Sequence, residues 1–195
     1  MKATKAYSHT TTIVSVLLSF FLTGCTTTLT ALNNNSIQQD DSSRSWGAWI
    51  DDQVIETVAS VNINKADPRF STSHIVIISH NGAVLIAGQT GSKTLKNLAG
   101  DTVKAVLKVR KVYNELEVSG PTTLLVRSSD SWITAKIKAR MVAEKNYPLD
   151  NVKVITENGT VYLMGLVTPE QATTTVNIVK QAYGVQKIIK VFEYL

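Results

Sequence analysis

The octet Asn81-Gly82-Ala83-Val84-Leu85-Ile86-Ala87-Gly88 returns 77 positions later as Asn158-Gly159-Thr160-Val161-Tyr162-Leu163-Met164-Gly165. In each copy Asn-Gly suits the positive φ angles of a two-residue hairpin turn, and the apolar run behind it reads as the second strand of that hairpin. One module is therefore present twice. Working outward from the first octet, Ile50, Val54, Val58 and Val61 recur at helical spacing, 74–79 and 83–88 make the hairpin, 92–107 reads as a second helix, and 111–118 as a last strand. Around the second octet the order repeats, with a helix over 131–144, strands over 152–156 and 160–165, a helix over 169–183 and a strand over 186–193. That last helix has a legible start, with Thr168 as N-cap, Pro169 at the first helical position and Gln171 placed for a capping box. Gly184 ends it.

The expected fold class is α+β: two tandem α-β-β-α-β units, each a three-stranded mixed sheet covered on one face by two helices, with a right-handed crossover. Residues 46–118 form the first unit, 119–127 the linker and 128–195 the second unit. Units of about 70 residues bury only about 60% of their extended-chain surface, so some packing between the copies is expected. The joint Ser119-Gly120-Pro121-Thr122-Thr123 is short, which favours a fixed arrangement over free swinging.

The 195-residue chain has an ordinary globular composition, 44% apolar and 18% charged, but its amino-terminal end stands apart. Lys2 and Lys5 supply a basic start, residues 13–22 are apolar, and Leu22-Thr23-Gly24-Cys25 follows directly. This reads as a signal peptide over 1–24, too short in its apolar part for a spanning helix, which needs roughly 20 residues. Cys25 is the single cysteine, so no intramolecular disulfide can form. Its place after Leu-Thr-Gly resembles the lipobox of bacterial lipoproteins, which implies covalent acylation of Cys25, and Thr26 in place of aspartate then favours the outer membrane. Residues 26–45, rich in Thr, Asn, Ser, Gln and Asp, read as a flexible tether with a reach of roughly 25 Å.

The pattern Asn-Gly-x-Val-x-Leu-x-Gly in the second copy, Gly184-Val185 before its last strand, and Val112-Tyr113-Asn114-Glu115 in the first resemble paired BON domains. With the lipobox in front, the chain is similar to the dual-BON outer-membrane lipoproteins of Gram-negative bacteria, from Cys25 to near its end. The stretches 130–134 and 151–166 carry the resemblance most closely. The first copy departs from it: Lys108 stands where a glycine precedes valine, and Leu85-Ile86-Ala87 replaces the second copy's pattern. The resemblance implies a periplasm-facing lipoprotein that supports envelope integrity, is enriched at division sites and binds anionic phospholipid through the first helix of its second BON domain, with Trp132 matching the family's tryptophan.

The residues themselves argue against several other chemistries. Gly88-Gln89-Thr90-Gly91-Ser92-Lys93 lies between a strand and a helix, but only two residues separate the glycines and Ser92 precedes Lys93. A phosphate loop needs four residues between the glycines and a lysine directly after the second, so a turn with a helix N-cap fits better. His74 and His80, at the two ends of one strand, stand about 20 Å apart, too far to share a metal ion. Asp51 and Asp52 read as helix-start charges complementing the dipole, not as an acid–base pair. Asn158-Gly159-Thr160 formally matches a glycosylation acceptor, yet the turn explains it better. No cofactor, metal, nucleic acid or enzymatic activity is expected; two of the positive charges behind the net +5, Lys2 and Lys5, fall in the signal segment.

The informative helix is the first of the second copy. At about 100° per residue, Ile133, Ile137 and Met141 form one stripe, while Trp132, Ala135, Ala139 and Val142 form another. A two-layer unit needs only the first, so the second must meet solvent, the other module or a membrane. Lys136 and Lys138 flank it, with Arg140 and Lys145 nearby. A tryptophan that can sit at headgroup level, small neighbours and flanking cations suit an anionic bilayer surface. The corresponding first-copy helix has no Lys or Arg from Trp46 to Asn64 and carries Asp51, Asp52 and Glu56. Two alternatives stand beside lipid binding. Trp132 packs between the modules, or the protein is an adaptor that docks outer-membrane assembly proteins through a sheet's open face or through the first module.

Overall fold

The computed structural model describes residues 46–144, 147 and 151–195; the signal segment, Cys25, the tether and Lys145 lie outside the described residues. The first copy opens with α1 (Trp46–Ala66) and a short 3-10 turn over Pro68–Thr72, which the sequence reading did not anticipate. Strands β1 (His74–His80) and β2 (Ala83–Thr90) follow, then α2 (Lys93–Lys104), β3 (Lys111–Asn114) and β4 (Glu117–Val118). In the second copy α3 (Leu124–Ala143) leads to β5 (Val152–Glu157), β6 (Thr160–Val167), α4 (Pro169–Lys180) and β7 (Lys187–Tyr194).

Both hairpins turn as their dipeptides dictate. Asn81 and Gly82 have φ of 50° and 75°, and Asn158 and Gly159 have 49° and 72°. The glycine that ends each octet has a different cause: a Cβ on Gly88 would lie 2.1 Å from the His74 carbonyl oxygen, and one on Gly165 would lie 1.9 Å from that of Asn151. The first strand of each hairpin crosses there with no room for a side chain.

In each sheet the second strand is central, antiparallel to the first and parallel to the last. The α-β-β-α-β expectation holds, with one refinement. The first copy's last strand is broken between Asn114 and Glu117. Asn114 turns its amide onto the Lys96 carbonyl at 2.7 Å while its oxygen receives the Leu116 N–H, and Leu116 drops into the core. Local side-chain bonds have displaced the ladder. The start of α3 also moves, to Leu124 rather than Ser131, because Thr123 caps it by accepting the Val126 N–H.

Strand β2 is buried along its whole length, which requires a covering layer on both faces. On one face Val84 and Ile86 join Ile55, Ala59, Ile63, Leu95, Ala99 and Val103 from α1 and α2. On the other, Ala83, Leu85 and Ala87 pack against Tyr162, Met164 and Val191 of the second sheet. The second copy has its own helix-side core around Ile133, Ile137, Leu163 and Val179. The order of layers is therefore helices, sheet, sheet, helices. The expected packing between copies is present, but it consumes both sheet faces, so a sheet's open face is not available to a docking partner.

Polar bridges surround that seam. Lys153 on β5 donates to the Ser79 carbonyl at 2.7 Å and pairs with Glu56 at 3.2 Å, His74 pairs with Glu157 at 3.3 Å, and Arg110 pairs with Glu193 at 2.8 Å. Tyr162 lies inside the seam, where burial, followed by the Glu115, Glu117 and Glu157 carboxylates, pushes its hydroxyl well above the ordinary tyrosine range.

Helix α1 keeps the expected spacing, and one sequence reading of it is corrected. Ile50, Val54, Val58 and Val61 form its outer, exposed stripe, and Ile55, Ala59 and Ile63 face the core. Asp51 and Asp52 are not helix-start charges, since α1 begins at Trp46. Asp52 is fully buried and accepts from Ser79 Oγ at 2.5 Å and from the backbone N–H groups of Asn81 and Gly82 at 2.8 and 2.9 Å. Asp51 instead pairs with Lys108 at 2.7 Å. Lys108 adopts the left-handed φ of 68° that Gly184 supplies, at 98°, in the second copy, so the departure from glycine leaves the local chain path unchanged.

Candidate functional site

Helix α3 is held to its module by one face and shows the other to solvent. Asp130, Ile133, Ile137 and Met141 are buried at spacings of three and four. Asp130 accepts the Asn158 and Gly159 N–H groups at 2.8 and 2.9 Å, repeating the Asp52 device. Thr134 donates to Thr156 Oγ1 on β5 at 2.7 Å. The turn after α4 comes so near that a Cβ on Gly184 would lie 3.0 Å from Ile133 Cδ1.

Every described residue of the expected site lies on the outer side. Trp132 is 65% exposed, so it does not pack between the modules; the seam is made by the sheets. Ala135, Ala139 and Val142 are exposed along the same stripe. Lys136 stands with its Nζ 5.6 Å from the Trp132 ring centroid, one helical turn on. Lys138 and Arg140 are exposed on the two flanks, and Arg140 donates to Gln181 Oε1 at 3.3 Å.

Sequence reasoning missed Leu124 and Leu125, exposed at 79% and 81%. A helix that starts at Ser131 leaves them in the linker. At 100° per residue Leu125 falls on the Trp132 stripe and Leu124 beside Val142, extending the apolar face toward the helix N-terminus. The signal was present in Thr123 as an N-cap and in the seven-residue steps from Leu125 to Trp132 to Ala139.

Comparing the copies separates shape from charge. Val54 stands where Trp132 stands, counted from Asp52 and Asp130, and α1 also exposes apolar side chains, with Trp46 and Trp49 edge to face at 6.1 Å between centroids. An apolar outer stripe is common to both helices. The cations are not: Val58 occupies the place of Lys136, and the outer face of α1 carries no Lys or Arg up to Asn64. The two copies therefore differ in the charge of this outer face and share its apolar character.

Among the described residues no group of three His, Cys, Asp or Glu side chains is arranged to hold a metal ion. His74 faces Glu157, and His80 is buried. Burial raises the Glu157 carboxyl above its usual range, the His74 ring opposes that rise, Asp130 adds to it and Arg127 opposes it. No described helix is long and apolar enough to cross a membrane.

The model of the BON domain matches this chain twice, at residues 51–120 and 129–195. The chain is 34% identical over 177 residues to the outer membrane lipoprotein DolP of Haemophilus influenzae, covering 91% of this chain and 92% of that one. It is 34% identical over 152 residues to the 21 kDa hemolysin of Actinobacillus pleuropneumoniae, 78% of each chain. To the osmotically-inducible protein Y of Escherichia coli it is 27% identical over 188 residues, 90% of this chain and 93% of that one. The duplicated α-β-β-α-β module and both family matches make this chain a member of the BON-domain family, with two BON domains in tandem.

Proposed function

We propose that the protein is a non-enzymatic outer-membrane lipoprotein, anchored through acylated Cys25 and facing the periplasm, whose second BON domain binds anionic phospholipid through the outer face of α3. The observation that carries this reading is the exposure of Trp132 among Lys136, Lys138 and Arg140 on a helix whose inner stripe already satisfies the fold. Kinship with a relative named as an outer membrane lipoprotein supports the address, and the Leu-Thr-Gly-Cys25 motif supports the anchor.

The chemistry is interfacial. Leu124, Leu125, Trp132 and Val142 can enter the boundary between headgroups and acyl chains, while each lysine near an anionic surface contributes about 1 kcal/mol. Such contact is weak and reversible. The acyl anchor supplies attachment, so α3 selects where on the membrane the protein sits and would direct it to lipid-distinct sites such as the division plane, where it would support envelope integrity.

Residues 26–195, which lack Cys25, should float with phosphatidylglycerol vesicles and not with phosphatidylcholine vesicles. Binding that survives Trp132→Glu combined with Lys136→Gln and Lys138→Gln would show that another surface meets the lipid.

A second reading rests on α1. Its exposed stripe, rich in aromatic and branched residues and free of cations, has the composition of a protein interface core. An adaptor docking assembly proteins through the first module would be captured by crosslinkers placed at Val54 or Val58, and mislocalised by deletion of that module alone.

A further inference from the structure

The two copies treat the outer edge of their sheets differently. In the first, Asn114 ties the last strand to α2 through the Lys96 carbonyl, and the strand then breaks. Gly100 is what admits that bond, since a Cβ there would lie 2.7 Å from Asn114 Nδ2. The strand is thereby tied to the helix, and its edge is short and interrupted.

In the second copy each part of this tie is replaced. Counting from the hairpins, Ile86 pairs with Asn114 and its counterpart Leu163 pairs with Lys190. Counting from the N-caps Ser92 and Thr168, Gly100 becomes Val176 and Lys96 becomes Ala172. Strand β7 runs unbroken over eight residues. Between it and α4 lies a groove of about 490 Å³, floored by Ala172 and Val176, bounded by Tyr194 and carrying Lys180 and Lys190.

Among the described residues no strand pairs with β7 on the side away from β6, so its backbone has unused capacity along this groove. The N–H groups of Lys187 and Leu195 donate to Gly159 and Val167, which fixes the alternate residues that face β6. In a parallel ladder the intervening residues, Ile188, Lys190, Phe192 and Tyr194, direct their N–H and C=O groups to the open side. A long open edge is a template for another strand.

We infer that the open edge of β7 and the adjoining α4 groove form a docking site for an extended, acidic polypeptide segment. The segment adds a strand to β7 through backbone hydrogen bonds, sets apolar side chains over Ala172 and Val176, and places carboxylates against Lys180 and Lys190. The same lysines disfavour a second copy's β7 as the occupant, because antiparallel pairing would bring like charges together. This surface lies on α4 and β7 and does not depend on lipid binding by α3.

The test uses the full lipidated chain in phosphatidylcholine nanodiscs and fluorescein-labelled octapeptides that alternate valine with glutamate or valine with lysine, read by fluorescence anisotropy. The glutamate peptide should bind, with the lysine peptide weaker by up to about fivefold. N-methylation of alternate peptide amides should abolish binding, and Lys190→Glu, with Lys180 still in place, should erase the charge preference. The double change Lys190→Asn with Val176→Gly, which installs the first copy's tie, should also remove binding while leaving the circular dichroism spectrum intact. The inference is overturned if neither peptide binds, if both bind equally, if N-methylation has no effect, or if Lys190→Glu leaves the preference unchanged. Binding that disappears only when phosphatidylglycerol is added, and returns in Lys190→Glu, would assign the groove to lipid and equally overturn it.

Discussion

Asp52 and Asp130 are one residue of the repeat used twice: each stands three positions before an inward isoleucine, Ile55 or Ile133, and each receives the N–H groups of its own Asn-Gly turn. The first helix is thereby fastened to the hairpin, and the outer stripe is set in a fixed direction. Asparagine at either position presents an amide donor to N–H groups that are already donors. Asp52→Asn, facing three donors, should cost about 3 kcal/mol and Asp130→Asn, facing two, about 2 kcal/mol. Urea unfolding should show lower midpoints with unchanged slopes. A loss below about 0.5 kcal/mol would mean that the turns hold themselves.

Much of this was legible in the chain. The Asn-Gly octets, the Thr168 capping box and the inward stripe of Ile133, Ile137 and Met141 each state a local geometry that tertiary packing does not oppose. The role of Asp52 was not legible, because its partners, the Ser79 hydroxyl and the backbone N–H groups of Asn81 and Gly82, lie 27 to 30 residues away and leave no mark on periodicity. The outward stripe of α1 shows a limit of hydrophobicity as a guide: Ile50, Val54, Val58 and Val61 are more apolar than the inward set, which includes Asp52 and Ala59, yet they are the exposed ones. The burial of both faces of β2 was written in its unbroken apolar run, yet the partner across the seam could not be named from sequence.

Because Met164 is buried in the seam between the sheets, the copies should unfold together. With Trp132→Phe as background, Trp46 and Trp49 report on the first copy alone. Met164→Ala, a change in the second copy, should remove about 2–4 kcal/mol and lower the midpoint reported by those first-copy tryptophans. A reporter midpoint that does not move would mean that the seam is not coupled to the first copy's stability.

Glu157 makes stability depend on pH in a definite direction. Burial raises its carboxyl in the folded state, with His74 opposing. A raised folded value means that the associated stability is present in full below the unfolded value of about 4.3 and is lost as pH rises through the folded value. Glu157→Gln carries no such dependence. Relative to the native chain, the glutamine variant should therefore gain stability as urea midpoints are followed upward from pH 4. If it loses ground instead, the His74 ion pair outweighs burial.

Leu124 and Leu125 separate the apolar part of lipid contact from the ionic part. Both side chains are about four-fifths exposed, so Leu124→Ser and Leu125→Ser should change folding stability by less than about 0.5 kcal/mol. If α3 lies in the interface, each should still weaken binding to phosphatidylglycerol vesicles by about fivefold, equivalent to about 1 kcal/mol of apolar burial. Salt acts on the other part. Raising ionic strength from 0.1 to 1 M shortens the screening length from about 10 Å to about 3 Å, which should suppress the contribution of Lys136, Lys138 and Arg140 and leave the leucine effect in place. Serine variants that bind as tightly as the native chain would confine the contact to Trp132 and its cations, with the first two turns of α3 standing clear of the bilayer.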